Sequence, residues 1–317
     1  RCDNAGTVPN HICQGKAMTD TESQTAQYSE QEASISLLIK PRLTDLGEFS
    51  VRRALPVTQR RMVGPFVFFD HMGPAEFPPG KGIAVRPHPH IGIATITYLF
   101  EGEIMHRDSL GVVQPIQAGA VNLMTAGKGI VHSERAGSDL DTLSSLHGIQ
   151  SWIALPQSEE EREPDFSHYP ATDLPFIELP GARVRLIMGE AFGKCSPVTC
   201  YSRTLYLDCQ LDAGAQVSLP DTEQELALYV AEGRIRVDGQ SLEAGVMAIS
   251  CAGASVKLDA STDARVMVIG GDSPGERFLN WNFVSSSKDR IERARRDWQD
   301  GRFPPVPGDD EFIPLPE

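Results

Sequence analysis

The chain contains no C-x-x-C pair, no block of lysine or arginine, and no unbroken run of about 18 apolar residues. The last absence leaves no candidate transmembrane helix, so no membrane partner is expected. Lysine and arginine total 29 against 43 acids, a formal charge of −14, which argues against binding a phosphate backbone. Arg293, Arg295 and Arg296 do cluster, but interleaved acids make them a solvated face, and direct nucleic-acid binding is not expected. The N-terminus has no apolar core of the kind a secretory signal needs. The six cysteines, at 2, 13, 195, 200, 209 and 251, are irregularly spaced. Cys195 and Cys200 are near enough in sequence to bridge, yet a chain this large is read with reduced thiols and placed in the cytoplasm.

What is present is β-sheet vocabulary. With 28 glycines and 23 prolines, the chain breaks into short apolar runs such as "FVFFDH", "TITYLFEG", "AVNLMTAG", "TLYLDCQL" and "LALYVAEG". Ten or more such runs predict an all-β protein built of sandwiches or barrels. Residues 1–35 are polar and aperiodic and are expected to be a disordered tail. Met18 is a plausible native start, which would make 1–17 an upstream or added extension. His11 and Cys13 lie in this tail and are treated as incidental.

Two stretches resemble each other. "TYLFEGEIMHRDSLGVVQPIQAGAVNLMTAG" at 97–127 and "LYVAEGRIRVDGQSLEAGVMAISCAG" at 228–253 share a Glu-Gly turn, an Ala-Gly turn and a closing Ala-Gly. Gly102 answers Gly233 and Gly119 answers Gly245, so the second copy has the shorter loop. Two similar β-domains in tandem follow. Shifted by those spacings, His88 and His90 fall on Leu219 and Asp221, and His132 and Glu134 fall on Leu258 and Ala260. The second copy keeps the turns and loses the histidines.

Those histidines carry the chemistry. In "RPHPHIG", His88 and His90 are two apart, so on a strand they share a face at roughly 6.5–7 Å. Pro89 donates no ladder hydrogen bond and predicts a strand start or edge. "GKGIVHSERAG" repeats the spacing with His132 and Glu134. Three imidazoles and a carboxylate converging on one point suit Fe, Mn, Co, Ni or Cu, with a closed zinc site as the alternative. His71, His147 and His168 are expected to be hydrogen-bonded or exposed, and His106 either lines the pocket or faces solvent.

"FVFFDHMGP", "HPHIGIATITYLFEGE", "DSLG" and "MTAGKGIVHSE", in this order, resemble the pirin family of the cupin superfamily over about residues 36–290. The resemblance implies a bicupin, two tandem jelly-roll β-barrels with a short C-terminal helix. It divides the chain into a metal-binding barrel at 36–170, a barrel without ligands at 171–285, and a helix with an extended surface tail at 286–317. It implies one divalent metal, Fe(II), held by His88, His90, His132 and Glu134. It implies quercetin 2,3-dioxygenase-like chemistry on a small aromatic substrate and O₂, with Glu134 as general base. The alternative it carries is an iron-dependent regulatory protein that binds protein partners without turnover. One departure stands out: where the cupin pattern has a glutamate after the second histidine, this chain has Ala94 and Thr95. Glu134 is then the one carboxylate left for the site.

In the C-terminal "SSSKDRIERARRDWQDGRF", Ile291, Ala294 and Trp298 form one narrow apolar stripe, predicting a helix that packs on a barrel.

Overall fold

Two kinds of strand are distinguishable by their burial, and they sort the molecule into layers. Glu103–Asp108 (EIMHRD) alternates half-buried and buried positions, as does Arg234–Val237 (RIRV) with exposed and buried ones. Ile93–Glu101 and Leu226–Glu232 are instead buried along nearly their whole length. A strand with one wet face alternates, whereas one covered on both faces reads as a continuous apolar run. The alternating strands belong to two four-stranded sheets and the continuous ones to two seven-stranded sheets. The structure, a computed structural model, describes residues 34–45 and 49–316.

The first barrel pairs a seven-stranded sheet with a four-stranded one. The large sheet contains, as neighbours, Val121–Thr125, Ile93–Glu101, Ser144–Ala154, Phe66–Phe77 and Ser50–Leu55. The small sheet runs Ala84–His90, Ile130–Ala136, Glu103–Asp108, Val113–Gln117. The second barrel repeats the seven-plus-four plan with Leu226–Glu232 and Ala264–Gly271 central in its large sheet. The fold is therefore all-β with the two tandem domains expected from the repeat, and it is the bicupin that the family resemblance implies. The equivalent turn glycines agree in conformation: φ is +89° at Gly102 and +75° at Gly233. A side chain at either position would meet a backbone carbonyl, of Ser145 or Asp263, so glycine is required twice for the same reason.

The two large sheets pack against each other and share one core. Phe66, Phe69, Ile96 and Tyr98 from the first barrel meet Tyr206, Tyr229, Met267 and Ile269 from the second. Phe66 and Tyr206 pack edge to face at 5.5 Å, and the Tyr98 hydroxyl donates to Asp208 at 2.8 Å.

The chain ends cross between barrels, which sequence spacing did not reveal. Ile35–Ile39 pairs with Met247–Ser250 in the second barrel's sheet, so the residues from 36 to 39 do not belong to the first domain as expected. Ile35 already lies in that strand, while the tail reading for 1–33, with Met18, His11 and Cys13, lies outside the described residues. At the other end, the helix Lys288–Gln299 starts at the cap Ser287 and buries Ile291 and Ala294 against Ile91 and Phe283. Among the described residues no helix is long and apolar enough to cross a membrane.

Candidate metal centre

His88 and His90 stand at the C-terminal end of Ala84–His90, an edge strand of the small sheet. Pro89 thus sits on an edge, as its missing N–H requires, though at the strand's end rather than its start. The neighbouring strand Ile130–Ala136 is antiparallel, and its register sets His132 opposite His88. A register shift between His132 and Glu134 puts Val85, not Arg86, across from the glutamate.

The three imidazoles converge. Ring centroids lie 4.9 Å apart for His88–His90, 4.4 Å for His88–His132 and 5.0 Å for His90–His132. One nitrogen from each falls within 4.8 Å of the others, and all three residues are buried. The backbone fixes two tautomers. His88 Nδ1 lies 2.9 Å from the Arg86 carbonyl and His90 Nδ1 lies 3.2 Å from the Asn282 carbonyl. A carbonyl only accepts, so both Nδ1 atoms carry the proton and both Nε2 atoms keep a lone pair. Burial pushes His88 down to about 4 and holds His90 and His132 well below the usual imidazole range, with neighbouring histidines lowering the latter two further. The imidazoles are neutral, the form that binds a cation.

Glu134 stands beside this cluster rather than within its 4.8 Å span. Its Oε1 is 3.8 Å from His132 Nδ1, too long for a hydrogen bond. His132 Nδ1 and Glu134 Oε2 are both buried without a partner. Burial alone lifts the Glu134 carboxyl to about 8, with no basic side chain offsetting its charge. Three neutral imidazoles next to an uncompensated carboxylate form a donor set that a divalent transition ion fits.

The site opens into a cavity of about 450 Å³. Phe68, Met72, Ile83, Val85, Ile104 and Trp152 make its wall mainly apolar. Arg53, Asp70, Thr97 and Gln150 add a polar stripe. Trp152 stacks on Phe68 at 4.0 Å and meets His90 edge-on at 4.9 Å. The C-terminal tail is more than a surface strap: Ile313 lines this cavity, and its N–H donates to the Pro87 carbonyl at 2.8 Å.

The remaining candidates resolve differently. His106 neither lines the cavity nor faces solvent. It is buried, bonded to Asp108 at 2.9 Å and stacked on Phe166 at 4.5 Å. Asp108, first residue of the "DSLG" motif, also accepts from the amides of Leu110 and Val112 and so closes that loop. His71 and His147 are hydrogen-bonded, to each other at 2.7 Å. Sequence reasoning missed Gln150, Thr97 and the Arg53–Asp70 pair, although Asp70 inside the apolar "FVFFDH" is the kind of buried charge that signals a site.

In the second barrel Leu258 lies opposite Val217, as His132 lies opposite His88. Register thus puts Val217 and Leu219, rather than Leu219 and Asp221, in the places of His88 and His90. Val217, Leu219, Leu258 and Ala260 are all buried, and they fill with hydrocarbon the space that the first barrel gives to its histidines.

Comparison with known proteins is consistent along the chain. The Pirin family model matches residues 48–153, and the Pirin C-terminal cupin domain model matches residues 206–304. A pirin-like protein of Caulobacter vibrioides is 50% identical over 287 residues, covering 89% of this chain and 100% of the relative. A crystal structure of quercetin 2,3-dioxygenase from Acinetobacter baumannii superposes with a TM-score of 0.83 at 36% identity, covering 89% of this chain and 95% of that one. A bacterial pirin from Escherichia coli in complex with nickel(II) shares the fold, with a TM-score of 0.59 at 18% identity, covering 75% and 99% of the two chains.

Proposed function

The chain belongs to the pirin family, and on that premise we propose that it is a metal-dependent dioxygenase using His88, His90, His132 and Glu134 on quercetin-like flavonols or related enol-bearing aromatics. The observation that carries the reading is the meeting of three neutral imidazoles, with the buried Glu134 carboxyl beside them, at a largely apolar cavity of about 450 Å³. That size suits a ligand of three fused or linked rings.

Fe(II) is the ion that the family resemblance suggests; the same donors suit Mn, Co, Ni, Cu and Zn, and the Escherichia coli pirin was solved in complex with nickel(II). When bound, such an ion acidifies a substrate hydroxyl and places substrate and O₂ together. The chain's own residues do the rest. Phe68, Trp152, Trp281 and Ile313 line the cavity and give a planar ring apolar surface to pack on. Glu134, the carboxylate beside the three imidazoles, takes the hydroxyl proton while standing near the ion.

The test is anaerobic loading with Fe(II), then quercetin in air-saturated buffer. Loss of the flavonol absorbance should match O₂ uptake, and both should stop in His88→Ala. Protein that holds the ion yet consumes neither reactant would favour the regulatory role instead. Protein that takes up no ion would end both readings.

A further inference from the structure

A row of polar side chains crosses the large sheet of the first barrel. Register sets Arg53 opposite Asp70, Asp70 opposite Gln150, and Gln150 opposite Thr97. All four line the metal cavity. Their neighbours on that face are apolar: Phe68 and Met72 lie two residues either side of Asp70, and Trp152 two beyond Gln150. A polar row on such a face is costly unless each member is bonded.

The bonding divides the row in two. Arg53 and Asp70 satisfy each other through two contacts, at 2.8 and 2.6 Å. Gln150 reaches from the large sheet to the small one, where Nε2 donates to Glu134 Oε1 at 3.3 Å. The amide presents its NH₂ to the glutamate and turns its own Oε1 away. Thr97 Oγ1 donates to that Oε1 at 2.6 Å. The chain Thr97–Gln150–Glu134 therefore has one consistent direction. It supplies the one side-chain hydrogen bond that the glutamate receives among the described residues.

We propose that Gln150, braced by Thr97, is the positioning residue for Glu134: it holds Oε1 and leaves Oε2 as the oxygen free to serve the ion site. The proposal rests on the metal reading above and adds a residue to it. Without Gln150 the carboxylate has no side chain fixing which oxygen turns inward. Groups that orient metal ligands typically change metal affinity by about 10–100-fold when removed.

Cobalt(II) titration of the full chain tests this, read by the visible absorption of the bound ion and by its affinity. Gln150→Leu and Thr97→Val should each alter the cobalt spectrum and weaken binding by about tenfold, while Thr97→Ser, which keeps the hydroxyl, should match the wild type. In a Glu134→Ala background, Gln150→Leu should add no further change, because its effect runs through the glutamate. An unchanged spectrum in Gln150→Leu overturns the proposal while leaving the metal site standing. So does a Gln150→Leu effect that persists without Glu134, or a Thr97→Ser that behaves like Thr97→Val. Should Gln150→Leu fail to fold, the two threonine variants still decide. Wild-type protein that takes no cobalt overturns the site and the proposal together.

Discussion

His88 and His132 face each other across one rung of an antiparallel ladder, with ring centroids 4.4 Å apart. Directly opposed residues are the closest side-chain neighbours a sheet provides. One strand supplies His88 and His90, the adjoining strand supplies His132, and no loop has to close to bring the three together. The site is prebuilt by register.

Metal binding should therefore cost little reorganisation and should stabilise the fold strongly. At a free Fe(II) or Co(II) concentration 100 times the Kd, the gain should be about 2.7 kcal/mol. His88→Ala should lose the bound metal and this gain, yet melt close to the metal-free wild type, because one of three crowded imidazoles has gone. Metal analysis beside thermal melts checks both halves; a His88→Ala protein that is still stabilised by the ion would contradict the assignment.

The second barrel makes the opposite prediction. Leu258 occupies the place of His132, is buried, and packs with Val217 and Leu219. Leu258→Ala should destabilise by about 2–5 kcal/mol through lost burial and a cavity. Metal content should not change. Denaturant titration gives the first quantity and metal analysis the second.

The parts of this architecture legible in the sequence were those written in local patterns. Two-residue spacing put His88 and His90 on one face, and paired glycines marked equivalent turns in both barrels. Pairing across barrels left no such trace. Nothing in "ISLLIK" says that it joins a strand some 210 residues away, and the difference between a surface tail and a cavity wall at Ile313 is decided by tertiary packing. Gln150 was likewise invisible, because its partner Glu134 lies on the opposing sheet. The two-residue error in matching His88 to the second copy has a physical source too: loop lengths before and after the strand differ, and only the ladder fixes the register.

The seam between the barrels should make the protein acid-sensitive. His71 bonds His147 at 2.7 Å and the Tyr229 hydroxyl at 2.8 Å, with Arg52 and Arg265 close by and Glu232 3.5 Å from His147. Burial first, then the arginines, push His71 down to about 2 and His147 to about 4. An unfolded imidazole titrates near 6.5. Above that pH both states are neutral and the seam's full contribution is present. Below it the unfolded chain takes protons that the folded chain refuses, so stability falls by about 1.4 kcal/mol per pH unit for each histidine until its folded pKa is reached. The double variant His71→Asn, His147→Gln should flatten the fall in unfolding free energy between pH 7.5 and 5. An unchanged slope would assign the acid sensitivity to the His88, His90 and His132 cluster instead.

The C-terminal segment should set what the cavity admits. Asp309 accepts from Ser133 at 2.8 Å and from Arg135 at 2.7 and 2.9 Å, the two residues flanking Glu134 in sequence. From that anchor the chain runs to Ile313, whose N–H is held by Pro87, whose carbonyl accepts from the Trp298 indole at 3.0 Å, and whose side chain lines the cavity. Both fastenings sit on the strands that carry the histidines, so the segment closes the site without belonging to either barrel sheet. Ile313→Trp should fill cavity space and raise the KM for a flavonol by about tenfold, the effect of losing roughly 1.4 kcal/mol of binding, while metal content and melting temperature stay near wild type. Asp309→Ala should act oppositely on access, loosening the anchor, exposing Trp298 to water and shifting its fluorescence to the red. If Ile313→Trp alters neither KM nor the range of aromatics accepted, the wall formed by Ile313 is not the one the substrate touches.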